Sequence, residues 1–305
     1  MKPFRVLVSG ASGMIGTALV EALEVPSVAN RFLPEVYRLT RHAPRSDREI
    51  YWDVYEQKID PADLEGFDAV IHLAGENIGS GDGLFSFLGR WSEEKKHRIV
   101  ESRRRGTRLL ASALASVKAK PNVFVSMSGV GYYGDRGDLV LEEGEKKGDG
   151  FLSDVAEIWE ENCMPASEAG IRTVQLRSGV VLSARGGVIQ KLELPYLMGG
   201  GGPVGPGTQW MSWVTLQDAV RGIQHAMMTE ELSGPVNLTA PDPCTSAEFA
   251  TALGAALHRP AFIPMPSMVV EIVFGEMGRE TLLVSQRAKP KKLLDSGFRF
   301  LHPDI

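Results

Sequence analysis

The 305-residue sequence predicts an α/β fold, a doubly wound parallel sheet with a smaller C-terminal α/β lobe. Three observations carry this reading. Short apolar runs alternate with amphipathic stretches through more than half of the chain, as strands buried on both faces alternate with the helices that cover them. The first run ends in a glycine-rich turn, VSGASGMIG, that feeds directly into a helical pattern. The composition, 43% hydrophobic and 23% charged, is that of an ordinary globular protein.

Residues 4–8 read as a buried strand and residues 15–23 as a helix, because the apolar positions change from a continuous run to helical spacing. Residues 36–39, FDAVIHLAG (67–75) and NVFVSMSG (122–129) are further strands, each ending in small or polar residues. The charged, amphipathic stretch 92–117 reads as one helix, and 151–169 as another, before TVQLRSGVVL (173–182) returns to strand. The alternation weakens at MGGGGPVGPG (198–207), whose glycines and prolines cannot continue regular structure. Helices follow at 216–229, 247–257 and around 267–276, with a strand at 236–238.

A net charge of -5 and a pI of about 5.8 supply no general attraction to nucleic acid or anionic membrane. Two cysteines, Cys163 and Cys244, are too few for a disulfide framework or a thiolate metal site, and the six histidines are isolated. No apolar run is long enough to span a bilayer. The opening MKPFRVLVSG enters a strand at once, which leaves no room for a signal peptide. The expectation is a cytoplasmic protein with small-molecule partners and no metal, nucleic acid or membrane; a homodimer stays open.

A strand that feeds a glycine turn into a helix N-terminus is a place for phosphate, because unpaired N–H groups and the helix dipole favour an anion. Gly10, Gly13 and Gly16 occupy those positions, which makes residues 1–170 a Rossmann-type dinucleotide-binding half. Segments 173–182 and 214–240 are expected to return to it, and 183–305 to form most of a C-terminal substrate lobe. An acidic residue at the end of the second strand would hold a ribose 2′-hydroxyl, whereas a 2′-phosphate needs a cation. The chain has Thr40 and Arg41 there, which selects NADP(H).

With the strand end HLAGENI added, the chain resembles an extended short-chain dehydrogenase/reductase, the superfamily of sugar-nucleotide epimerases and dehydratases. More narrowly, it is similar to the atypical subgroup of nucleoside-diphosphate-sugar epimerases called epimerase family proteins. GASGMIG, LTR, SMSGVGYYGD, FLSDVAEIWE, RSGVVL and QWMSWV carry the likeness, together with the tail 274–300. The resemblance implies that Gly10, Ser12, Gly13, Met14, Ile15 and Gly16 wrap the pyrophosphate, and that Thr40 and Arg41 hold the 2′-phosphate. It also implies that Leu73, Ala74 and Glu76 flank the adenine and ribose, and that Arg103 and Val180 approach the cofactor. Gln209, Trp210 and Trp213 stand where related epimerases contact substrate, or else pack one lobe on the other.

The superfamily uses a serine with a tyrosine and lysine spaced YxxxK on a helix. Ser128 answers for the serine, but Leu152 and Ala156 stand where the tyrosine and lysine belong. Tyr132 or Tyr133 would have to supply the proton. The favoured reading is an NADP(H)-dependent oxidoreductase or epimerase acting on a nucleotide-sugar or other small hydroxyl or carbonyl substrate. The alternative is a non-catalytic NADPH-binding regulator or redox sensor that has lost the Tyr–Lys pair.

Overall fold

A computed structural model describes residues 3–25, 34–80 and 89–305. The chain begins with β1 (Phe4–Ser9), α1 (Met14–Glu24), β2 (Pro34–Thr40), β3 (Glu49–Asp53), β4 (Lys58–Ile59), β5 (Ala69–His72), α2 (Glu93–Ser116) and β6 (Val123–Gly129). It continues through β7 (Val140–Leu141), α3 (Phe151–Glu161), α4 (Met164–Glu168), β8 (Arg172–Ser178), β9 (Val180–Ser183) and α5 (Gly187–Leu197). Next come β10 (Trp210–Met211), β11 (Trp213–Thr215), α6 (Leu216–Met228), β12 (Gly234–Leu238), β13 (Cys244–Thr245) and α7 (Ser246–Ala256). The last elements are α8 (Ser267–Phe274), α9 (Glu276–Thr281), β14 (Arg287–Ala288) and α10 (Lys291–Asp295).

Eight strands form the central sheet in the order β12-β8-β6-β5-β1-β2-β3-β4. Every neighbouring pair is parallel except β3 and β4. From β1 the chain steps outward one way through β2 and β3, and from β5 the other way through β6 and β8. The strand order therefore reverses between β1 and β5, where open α/β sheets bind ligands.

Side chains alternate across this sheet with period two. Val6 and Val8 of β1 pack with Leu19 and Leu23 of α1 and with Ile223 of α6, whereas Leu7 joins Leu110 and Leu114 of α2 on the other face. Ala69 and Ile71 against Val70, and Val125 against Phe124, repeat the division. A separate cluster of Tyr196, Trp213, Ala240, Cys244, Phe249 and Leu253 forms the core of the C-terminal part. α2 starts where its sequence says it should: Ser92 Oγ accepts the Lys95 N–H at 3.1 Å, and Glu93 and Glu94 complement the helix dipole.

Three elements differ from the sequence reading. The helix expected at 151–169 breaks at Asn162–Cys163 into α3 and α4, with Pro165 in the first turn of α4 where its missing N–H costs nothing. The strand expected at 173–182 divides at Gly179. A Cβ there would stand 2.6 Å from the Ser212 carbonyl, so the glycine lets β11 approach and β9 pairs with β11 while β8 stays in the central sheet. The helix expected around 267–276 is two helices, α8 and α9, turned at Gly275 with φ 61°. Strands β3, β4, β7, β10, β13 and β14 and helices α5 and α10 have no counterpart in the sequence reading.

Candidate active site at the strand-order reversal

The turn after β1 lies at the carboxyl end of the sheet, beside the reversal. Gly10 has φ 69°, a conformation that costs other residues, and a Cβ on it would lie 2.8 Å from the Leu73 carbonyl carbon and from Ala74 N. A Cβ on Gly16 would run into the Gly10 carbonyl, so α1 packs directly on its own turn. The Gly13 N–H donates to Gly10 O at 3.0 Å, and Gly13 caps α1 with no side-chain hydrogen bond and no acid in the first turn. Ser12 is exposed and Met14 and Ile15 are half-buried. This N-terminus presents main-chain N–H groups and a positive dipole end, the polarity that suits a pyrophosphate. The link between β9 and α5 lies against the turn: a Cβ on Gly186 would stand 3.4 Å from Met14 Sδ, and Arg185 pairs with Glu21 at 2.7 Å.

The opposite wall is the loop after β5. Ser9 Oγ accepts the N–H groups of Leu73 at 3.2 Å and Ala74 at 3.3 Å, and contacts His72 Nδ1 at 2.7 Å. His72 Nε2 contacts Thr107 Oγ1 of α2 at 3.0 Å. Burial, with help from the Arg103 charge, pushes the His72 pKa down to about 3, so the ring is neutral. With both lone pairs of Ser9 taken, its proton goes to Nδ1, and the remaining ring N–H donates to Thr107. This buried chain holds Leu73 and Ala74 against Gly10.

Farther along the loop, the Glu76 carboxylate pairs with buried Lys95 at 2.6 Å, and its N–H donates to Ser102 Oγ at 3.0 Å. Arg103 donates to the carbonyls of Glu76 at 3.0 Å and Ile99 at 3.1 Å and lies over the Trp159 ring at 4.5 Å. Burial brings its pKa down to about 10. Glu76 and Arg103 thus brace the loop from within. Lys191 of α5 reaches the same loop and donates to the Gly79 carbonyl.

At the end of β2, Thr40 Oγ1 donates to the His42 carbonyl at 3.0 Å. Arg41 is exposed and, among the described residues, its guanidinium makes no hydrogen bond or ion pair. It helps to hold the Asp53 carboxyl below the usual range, behind the larger effect of the Glu56 N–H.

Ser128 lies at the end of β6, where its Oγ donates to Glu160 Oε1 of α3 at 2.8 Å. Arg177 is the register partner of Ser128 on β8, so the two side chains share a face. It holds Glu160 side-on, Nε to Oε1 and Nη2 to Oε2, both at 2.8 Å. The same guanidinium lies 3.5 Å from the centre of the Tyr132 ring and donates to Tyr133 Oη at 3.1 Å. Tyr133 is fully buried, donates to Asn237 Oδ1 at 2.7 Å, and has its pKa pushed up to about 12 by burial. Its hydroxyl is spent in the interior, a poor arrangement for handing a proton to substrate. Sequence reasoning missed Glu160, Arg177 and Asn237 as members of one network. The available signal was an arginine inside an apolar strand, which needs a counter-charge.

On α3, Leu152 is half-buried and Ala156 buried. The Leu152 N–H donates to Glu280 of α9 at 3.1 Å, and Lys96 of α2 pairs with Glu276 at 3.0 Å, so the tail docks on the start of both helices. Val180 donates its N–H to the Ser212 carbonyl at 2.8 Å. Trp213 is core, 1% exposed, Gln209 bridges the carbonyls of Val204 and Leu282 at 2.9 Å each, and Trp210 donates to Asp138 at 2.8 Å. Gln209 and Trp213 join segments of the C-terminal part, whereas Trp210 ties it to the loop before β7. Among the described residues no group of His, Cys, Asp and Glu could hold a metal ion, and no helix is long and apolar enough to cross a membrane.

Comparison with known proteins agrees with this geometry. Residues 6–238 match the NAD dependent epimerase/dehydratase family, and residues 265–305 match a domain of unknown function, DUF1731. The chain is 40% identical over 300 residues to epimerase family protein Mb2239 of Mycobacterium bovis, covering 98% of this chain and 94% of the relative. The crystal structure of human epimerase family protein SDR39U1 (isoform 2) with NADPH superposes with a TM-score of 0.86 at 35% identity, covering 98% of this chain and 96% of that one. A nucleoside-diphosphate sugar epimerase from Corynebacterium glutamicum superposes with a TM-score of 0.77 at 30% identity, covering 99% of this chain and 56% of that one. The chain belongs to the NAD-dependent epimerase/dehydratase family and carries the DUF1731 segment at its C-terminal end.

Proposed function

We propose that the protein binds NADP(H) between the β1–α1 turn and the β5 loop, and acts on a small hydroxyl or carbonyl substrate such as a nucleotide-sugar. The observation that carries this reading is Arg41, an exposed cation with no ion pair among the described residues, beside a glycine cradle that a Cβ would fill. The human relative crystallised with NADPH supports the same choice of cofactor. In this reading Gly10, Ser12, Gly13, Met14, Ile15 and Gly16 line the pyrophosphate, Thr40 and Arg41 meet the 2′-phosphate, and Leu73 and Ala74 border the adenosine. Val180 adjoins the nicotinamide side, and Ser128 and Tyr132 stand on the substrate side. A bound nicotinamide would supply the hydride chemistry. The chain's own residues bind and orient. A cytoplasmic setting and a substrate lobe drawn mostly from 183–305 complete the proposal.

The test is a titration of the full chain with NADPH and with NADH, read by calorimetry. NADPH is expected to bind more tightly, and Arg41→Ala is expected to weaken NADPH about 10- to 100-fold while leaving NADH unchanged, the worth of a charge-assisted hydrogen bond. Equal affinity for both cofactors in the parent chain would remove the assignment. One observation favours a second reading, a cofactor-binding regulator without turnover: the positions of the Tyr–Lys pair hold Leu152 and Ala156, and the Tyr133 hydroxyl is engaged internally. Tight NADPH binding with no turnover across sugar nucleotides would select it.

A further inference from the structure

We propose that Ser128 meets its ligand as a hydrogen-bond acceptor, so that the group bound there is a donor, an alcohol hydroxyl in preference to a carbonyl oxygen. The inference rests on the reading of this cleft as the place where a hydroxyl or carbonyl substrate meets the cofactor. The hydrogen-bond network behind the serine carries it.

The far end of the network is Asn237, which is fully buried on β12. Its Nδ2 donates to two main-chain carbonyls, Leu141 at 3.2 Å and Lys289 at 2.9 Å, which fixes the amide orientation and leaves Oδ1 as an acceptor. Tyr133 must therefore give its proton to Oδ1. The phenol oxygen then accepts a hydrogen bond from Arg177 Nη1, which also donates to the Glu143 carbonyl at 3.4 Å. The other two sides of the guanidinium grip both oxygens of Glu160, a bidentate arrangement that needs the ionised carboxylate. The side chains of Arg177 and Glu160 are 3% and 14% exposed, so water does not take over these roles. An ionised carboxylate only accepts, and Ser128 has one proton to give, which goes to Glu160 Oε1.

What remains of Ser128 is lone-pair capacity. A serine held this way receives a hydrogen bond from an alcohol and repels a carbonyl oxygen. To donate outward it would have to leave a charged acceptor inside a buried network. Glu160 is the positioning residue in this scheme: it does not touch the ligand, and it determines which way the serine proton points, whereas Asn237 fixes the direction of the Tyr133 proton.

Neutron diffraction on crystals of the full chain, grown with NADP+ and exchanged into heavy water, reads this directly. The expected map shows the Ser128 deuteron on the line to Glu160 Oε1, no deuteron on Glu160, and both Asn237 Nδ2 deuterons on the carbonyls of Leu141 and Lys289. The heavy-water molecule or cofactor group touching Ser128 Oγ donates its own deuteron. A Ser128 deuteron aimed away from Glu160, or one carried by Glu160, overturns the proposal. Failure of the cofactor reading shows separately, as absence of NADP+ nuclear density in a crystal whose serine proton is still visible.

Discussion

The buried histidine beside the strand-order reversal makes this protein acid-sensitive in a way that can be isolated. His72 is fully buried, and its pKa falls from the ordinary 6.5 to about 3, while in the unfolded chain it titrates normally. Below pH 6.5 the unfolded state therefore binds a proton that the native state refuses, and native stability declines as pH falls from 6.5 toward 3. The slope approaches about 1.4 kcal/mol per pH unit, so this single group removes about 2 kcal/mol by pH 5. Gln in place of His72 keeps an acceptor for Ser9 and a donor for Thr107 but cannot titrate. Urea denaturation of the parent chain and of His72→Gln at pH 7.5 and pH 5 gives the comparison, since other carboxylates lose stability equally in both proteins. The parent is expected to lose about 2 kcal/mol more than the variant. Identical losses would mean that His72 titrates in the native state, and the proton chain from Ser9 to Thr107 would be wrong.

Other perturbations address the cradle and the network. Gly10→Ala forces a side chain into a left-handed conformation and against the main chain of Leu73 and Ala74; thermal denaturation is expected to register a loss of about 2–4 kcal/mol. Arg177→Met strands the Glu160 carboxylate and is expected to cost about 3–5 kcal/mol in urea denaturation, part of which Glu160→Leu in the same chain restores. Tyr133→Phe leaves Asn237 Oδ1 and one Arg177 N–H short of a partner, a loss of about 1–3 kcal/mol. NADPH affinity in that variant is expected to stay within twofold, because the hydroxyl faces the interior. A collapse of binding measured by calorimetry would return Tyr133 to the cleft.

How much was legible in the sequence depends on whether the cause was local. The long helix α2 was readable because its N-cap Ser92 and first-turn acids lie beside the pattern they start, and the central strands because burial on both faces leaves continuous apolar runs. The breaks at Asn162–Cys163 and Gly179 left local marks, Pro165 and the Arg177–Ser178–Gly179 interruption of the apolar run, but what fixes the second is β11, more than thirty residues later. Strand β3, EIYWD, pairs at the sheet's outer side and alternates in burial, which resembles ordinary half-polar sequence. The glycine turn was legible as a tight strand-to-helix connection, but the bracing roles of Glu76 and Arg103 were not, for Lys95 and Trp159 reach them only in the fold. Tyr133 adjoins Ser128 in sequence, and that nearness misled: a tight turn over residues 130–133 carries the phenol inward to Asn237, 104 residues on.

The docking of the tail also bears on the order in which the protein assembles. Arg287 and Ala288 pair with Val140 and Leu141, and Lys292 N–H reaches Glu143 at 3.1 Å, each contact closing a loop of roughly 150 residues. Loop closure of that length carries an entropic cost of about 4 kcal/mol before any contact repays it. Segments joined across such distances form slowly compared with local helices and hairpins. In refolding, the central sheet is therefore expected to precede the tail, and β7 to wait with an open edge until β14 arrives. Recovery of cofactor affinity would trail recovery of helical signal, and the interval between the two would be the time during which the half-built chain is most exposed to aggregation.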